Sequence, residues 1–218
     1  PESDLHKAPT QLVVLENTCN KGGGTCYDLS AIEEIRKICD DHGLKLHLDG
    51  ARVFNALVAK GYSAADLGQY FHSISICLSK GLGAPVGSVL LGETAYIRRA
   101  RRLRKLMGGG MRQAGYLAAA GIYALKNHVN RLAEDHERAK KIGAVLAQKS
   151  YVSEVYPIET NIVIFKLTEN IDLNNFLAIL AQQGVLAVPF GPQLVRFVTH
   201  LDFDDQQLEK VLKLLSAI

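Results

Sequence analysis

Short apolar runs alternate with helical patterns along the first half of this chain, and that alternation leaves few folds open. Gln11-Leu12-Val13-Val14-Leu15 reads as a buried strand, and Leu44 to Leu48 as the next. Between them, Ser30-Ala31-Ile32-Glu33 has the form of a capping box. It opens a helix with Ile32, Ile35 and Ile38 on one face, stopped near Gly43. A helical stretch follows from Val53 to about Lys60, and another from Ala64 to Phe71. Ser73 to Leu78 and Gly87 to Leu91 are strands separated only by Ser79-Lys80-Gly81-Leu82-Gly83-Ala84-Pro85-Val86. Strands alternating with helices predict an α/β layered fold, with a mainly parallel sheet flanked by helices. In such sheets ligands gather at the carboxyl ends of the strands.

The second half reads differently. Glu93 to about Gln148 is helical in pattern, broken by Gly108-Gly109-Gly110. Then come a strand (Asn161 to Leu167), a helix (Leu173 to Gln183), two strands (Val185 to Val188, Leu194 to Thr199) and a helix (Asp204 to Ser216). That is a small C-terminal α+β unit. The expected division places residues 1–131 in the larger domain and 132–218 in the smaller, with the boundary inside a long connecting helix.

Two strand ends carry the chemistry. One is His47-Leu48-Asp49-Gly50-Ala51-Arg52, and the other runs through Lys80 into glycines. A strand-end Asp and a strand-end Lys at this separation point to pyridoxal phosphate. The lysine amine forms a Schiff base with the aldehyde, and the carboxylate keeps the pyridine nitrogen protonated. Alone, Asp49 reads as a helix cap and Arg52 as a surface residue; beside Lys80 the functional reading is preferred. Arg52 then lies near the cofactor 3-oxygen or a substrate carboxylate, where its planar fork is useful. Gly81-Leu82-Gly83 is neither G-x-G-x-x-G nor a Walker loop, and its glycines keep side chains clear of the cofactor. Arg196, flanked by Val195 and Phe197, is either on the polar face of a strand or a clamp for an α-carboxylate.

Other classes fit less well. The net charge of +3 over 218 residues is too small to imply a polyanion partner. Arg98, Arg99, Arg101, Arg102, Arg104 and Lys105 form a basic run, but only Tyr96 accompanies them as a stacking aromatic. A solvated or subunit-facing helix is the preferred reading over a nucleic-acid surface. No apolar run reaches the roughly 18 residues that span a bilayer, and Pro1 to His6 shows no signal-peptide pattern. Cys19, Cys26, Cys39 and Cys77 form no C-x-x-C pair and read as reduced cytoplasmic thiols. A zinc site on Cys19 and Cys26 would fit no common spacing, so no metal is expected.

Seven motifs in order resemble one family, the low-specificity L-threonine aldolases among the fold-type I pyridoxal-phosphate enzymes. They are Leu15 to Thr18, His47 to Arg52, Cys77 to Ser88, Gly108 to Gln113, Ala118 to Asn127, Thr160-Asn161, and Arg196 to Asp202. The resemblance implies cleavage of L-threonine and L-allo-threonine to glycine and acetaldehyde. It implies that Lys80 carries the cofactor, Asp49 faces the pyridine nitrogen and Arg52 the 3-oxygen, and Arg196 is the main carboxylate clamp. It places His6 near the substrate β-hydroxyl, and Arg112 at the cofactor phosphate of a neighbouring subunit in a homodimer or homotetramer. It also implies that a first third, with a substrate serine, a Gly-Thr phosphate cradle and a ring-stacking histidine, belongs to the same polypeptide. The alternatives are another β-eliminating lyase of amino acids and a non-catalytic remnant of the fold.

Overall fold

The computed structural model describes residues 8–218, so His6 lies outside the described residues. The first part runs β1 (Leu12–Glu16), α1 (Leu29–Asp41), β2 (Lys45–Gly50), α2 (Val53–Lys60), α3 (Ala64–Gly68), β3 (Ser73–Cys77) and β4 (Ser88–Gly92). Three helices follow: α4 (Thr94–Leu106), α5 (Gly115–Asn127) and α6 (Leu132–Leu146). The last part is β5 (Val152–Val155), β6 (Ile162–Leu167), α7 (Leu173–Gln182), β7 (Val188–Gly191), β8 (Leu194–Val198) and α8 (Asp205–Ala217).

The strands form two four-stranded sheets, β1-β2-β3-β4 and β5-β6-β8-β7. In the first, β1, β2 and β3 are parallel. Their crossovers are helical, as parallel pairing requires. The strand β4 returns antiparallel to β3 because only a tight turn joins them. The second sheet is antiparallel throughout. Leu46 and Leu48 of β2 are fully buried against Ile32 of α1. The stripe of α1 runs Ile32, Ile35, Cys39 rather than through Ile38, which is 57% exposed. A period of 3.6 carries the face to the cysteine.

Other expectations are corrected. The helix α1 starts at Leu29 with Asp28 as its N-cap, so Ser30 and Glu33 make no capping box. Leu29 packs on the core and draws the helix start upstream, and Glu33 pairs with Lys37 instead. Capping boxes form at Ser63–Asp66 and Asp204–Gln207. The helical pattern does not run through residue 131. It breaks at His128 to Arg131, and Arg131 is the N-cap of α6. The strand expected at Val185 to Val188 begins at Val188, because Val185 and Ala187 pack against the second core.

Helix α6 touches both sheets' surroundings. Its first residue, Leu132, packs with Leu78, Leu82 and Ala124 under the lysine turn. Further along, Ala139, Ile142 and Leu146 join Phe165, Phe176, Val195 and Leu215 in the core of the second sheet. Asp135 is buried at the start of the helix and takes both guanidinium nitrogens of Arg131. His136 beside it is also buried. Burial, more than any charge, pushes its ring from 6.5 down to about 4.

A pH dependence follows. Between about 4 and 6.5 the unfolded chain binds a proton at this position that the native chain does not. Stability therefore rises with pH across that window and is lost as pH falls through it. Urea midpoints at pH 7 and pH 5 should differ more in wild type than in His136→Gln. Equal differences would mean that His136 stays solvated in the native protein.

Among the described residues no helix is long and apolar enough to cross a membrane. Strand β4 is exposed along its whole length, and α4 buries no residue. Met107, Tyr116 and Tyr123 are exposed large side chains of the α4–α5 region.

Candidate active site

The carboxyl edge of the parallel strands gathers the predicted residues. The register puts Glu16, Asp49 and Ser75 side by side. Asp49 thus ends β2 at the level where β1 gives way to Asn17, whose N–H donates to the Asp49 carbonyl at 3.0 Å. Asp49 is half-buried. Its Oδ1 accepts from the Ala51 N–H at 3.1 Å. The N-cap of α2 is Arg52, with no side-chain cap bond. Asp49 therefore makes a local Asx turn rather than capping the helix. That turn fixes its rotamer and leaves Oδ2 without a donor among the described residues. Gly50 is required here, since a Cβ would sit 2.7 Å from the Ser75 carbonyl oxygen.

Lys80 leaves β3 on an exposed turn. The Gly83 N–H donates to the Lys80 carbonyl at 2.8 Å, and the Ala84 N–H to the Leu78 carbonyl at 3.0 Å. Gly83 has φ +71°, which closes the turn before β4. His128 Nδ1 donates to the Leu82 carbonyl at 2.7 Å. At the strand end, burial raises the Cys77 thiol, but bonds from Ser79 and Ser88 and the nearby charge of Lys80 outweigh it and hold the thiol below its ordinary value.

Arg196 reaches this edge from the second sheet. Its neighbours Val195 and Phe197 face the second core, so alternation turns Arg196 the other way. Its Nη1 donates to Asn20 Oδ1 at 2.9 Å, and its guanidinium lies 4.7 Å from the Phe190 ring centre. Nε is buried without an acceptor among the described residues. Burial and, second, the positive charge of Arg196 push the Arg52 guanidinium below its usual range. Two partly desolvated cations that repel each other, one with an unspent buried donor, form a receptor for an anion.

The loop after β1 makes that meeting possible. Gly24 has φ +81°, and its carbonyl accepts from Thr160 Oγ1 at 2.8 Å. A Cβ there would lie 2.5 Å from that hydroxyl. The stretch Lys21 to Gly24 thus docks the loop on the second sheet and sets Asn20 against Arg196.

Asp49, Arg52 and Lys80 all stand at one sheet edge, and Arg196 joins them through Asn20. Arg112 does not join them within this chain. It lies exposed in the loop between α4 and α5, with no side-chain partner among the described residues. Cys19 and Cys26 are free thiols, and no group of described residues could hold a metal ion. An open cavity of about 610 Å³ lies beside Phe197, Thr199 and Lys210, and none of the predicted residues lines it. Sequence reading missed Asn20. It also missed Asn17 and Thr18, both buried at the end of β1 with side-chain oxygens that have no partner among the described residues. The signal was a polar Asn-Thr pair directly after an apolar strand.

The residues present fit pyridoxal phosphate. They offer an amine on an exposed side chain for the aldehyde, a pinned carboxylate with a spare oxygen for the pyridinium, and unspent polar atoms at the same edge. The architecture is that of the fold-type I pyridoxal-phosphate enzymes. The threonine aldolase of Leishmania major superposes with a TM-score of 0.77 at 21% identity, covering 98% of this chain and 63% of that one.

A family model of the beta-eliminating lyases matches residues 1–170, and the chain belongs to that family. It is 44% identical to the low specificity L-threonine aldolase of Escherichia coli K12, over 95% of this chain and 60% of that protein. It is 38% identical to low-specificity L-threonine aldolase 1 of Arabidopsis thaliana, over 92% of this chain and 57% of that protein. The chain therefore spans well under two thirds of the length of these relatives.

Proposed function

We propose that this chain carries the lysine, carboxylate and arginine machinery of a pyridoxal-phosphate aldolase that splits L-threonine and L-allo-threonine between Cα and Cβ, giving glycine and acetaldehyde. The observation that carries this reading is the meeting of Arg52 and Arg196 beside the strand ends of Asp49 and Lys80. An α-amino acid needs both: an anion receptor for its carboxylate and an amine-exchanging lysine for its nitrogen.

When bound, pyridoxal phosphate supplies the aldehyde and a ring that takes up the electrons of the broken bond. Asp49 holds a proton on the ring nitrogen. Lys80 would hold the cofactor aldehyde through its amine, in a place that the substrate amine could take. Arg52 and Arg196 would grip the carboxylate and so orient the substrate. By the resemblance, His6 matches a histidine that acts near the substrate β-hydroxyl. The test is release of acetaldehyde and glycine in equal amounts from threonine by the full-length protein. Ammonia and a keto acid instead would identify a different β-eliminating lyase.

Arg196→Lys should raise the KM for threonine by roughly tenfold or more, the scale of a lost charged hydrogen bond. Charge is retained, but lysine cannot reach Asn20 and a carboxylate together as a planar fork does. An unchanged KM would make the clamp untenable.

The active protein is an oligomer, a dimer or a tetramer, with sites at the subunit interface. The exposed β4 and the unburied α4 support this, as does the solvent-facing Arg112. Arg112 then binds the cofactor phosphate of its neighbour. Mixing full-length Lys80→Ala and Arg112→Ala subunits should restore part of the activity, since one site in a hybrid dimer keeps both residues. A fully active monomer in sedimentation would remove the interface from the account. Its free cysteines fit a reducing cytoplasm.

A further inference from the structure

Behind the lysine turn lies a buried polar pair outside the candidate site described above. Asn55 on α2 is 2% exposed and His136 on α6 is 4% exposed. His136 Nε2 stands 2.9 Å from Asn55 Oδ1. An amide oxygen only accepts, so Nε2 carries the proton and donates. The histidine thereby fixes the rotation of the amide and turns its NH2 group away from itself.

That NH2 group lies on the side of Gly81 where a side chain would project. A Cβ at Gly81 would come within 3.3 Å of Asn55 Nδ2 and 3.0 Å of Leu132 Cδ2. Asn55 and Leu132 thus fill the space into which a side chain would project one residue past the lysine, and glycine lets the turn pack beside them. The rest of the turn is held by three backbone hydrogen bonds, the third from the Leu78 N–H to the Gly87 carbonyl at 2.9 Å, by the His128 bond to Leu82, and by burial of Leu82 and Ala84. The first turn of α6 also reaches the residue that follows β8, because the Asp135 carbonyl accepts from Thr199 Oγ1 at 2.7 Å. One helical turn therefore touches the lysine turn, the helix headed by Arg52 and the residue after the strand that carries Arg196.

We propose that Asn55 and His136 are positioning residues for Lys80: their bond holds the Gly81 backbone and so sets the direction in which Lys80 presents its amine. This rests on Lys80 being the cofactor lysine. A pair that merely satisfied two buried polar groups would stabilise the fold without any particular hold on the turn.

The test uses the full-length protein with Asn55→Ala, His136→Leu and His136→Gln, whose amide can still donate to Asn55. In the cofactor-free protein, amide exchange at Gly83 and Ala84 should quicken by about tenfold or more in the first two variants, with the interior of α6 unchanged. In the loaded protein kcat should fall by about tenfold while KM for threonine stays within about twofold, and His136→Gln should recover most of both losses. Wild-type exchange at Gly83, or equal quickening along α6, would overturn the proposal. If Asn55→Ala fails to fold, identical behaviour of His136→Leu and His136→Gln would overturn it instead. Attachment of the cofactor to another lysine would sink the underlying reading separately, while fast exchange at Gly83 would still establish the pair's grip on the turn.

Discussion

Lys80→Ala should fold normally and lose nearly all turnover. The side chain is exposed, so no core contact is removed. The bonds that shape the turn are made by backbone groups and His128, and they survive the substitution. What disappears, on the proposed reading, is the covalent hold on the cofactor and an amine placed to move a proton at the reacting carbon. Losing a positioned proton-transfer group alone costs on the order of 10²–10⁴-fold in rate. The bound cofactor should then lose the visible absorbance of its lysine-linked form and be removable by dialysis. Substantial turnover in this variant, with cofactor still covalently attached, would place the chemistry on another lysine.

Asp49→Ala should damage kcat more than cofactor retention. A carboxylate against a pyridinium is a charge-assisted contact of about 1.5–3 kcal/mol, so cofactor affinity should fall by roughly 10–150-fold. The chemical step should suffer further, because an unprotonated ring accepts electrons poorly. Asp49 also accepts from the Ala51 N–H, so its removal loosens a local turn. Asp49→Asn separates the two effects: the amide oxygen can still accept that bond, but it brings no charge to the ring nitrogen. Asn should therefore restore thermal stability and leave kcat low. Full turnover in Asp49→Asn would reduce Asp49 to a turn residue.

Much of this was legible in the residues. The parallel strands announced themselves as apolar runs with turn signals between them, and α2 runs from Val53 to Lys60 as its pattern predicts. The edge placement of Asp49 and Lys80 followed from those strands. Other features depended on packing. Strand β5 was missed because it has only four residues, two of them exposed, and a bulge interrupts its pairing with β6. The true start of α1 depended on where Leu29 packs, and a local capping signal at Ser30 could not report that. The pairing of His136 with Asn55 spans 81 residues of sequence, and each looks like an ordinary polar position in its own helix. Asn20 was invisible for the same reason: its partner comes from the other sheet. A single chain reports its local periods well, but the partners of its buried polar groups only through the fold.

The most direct measurement is borohydride reduction of the full-length, cofactor-loaded protein, followed by peptide mapping. The account predicts one pyridoxyl adduct, on the peptide containing Lys80, and none at all in Lys80→Ala. An adduct on any other lysine, or bound cofactor that reduction never fixes to the chain, would contradict it.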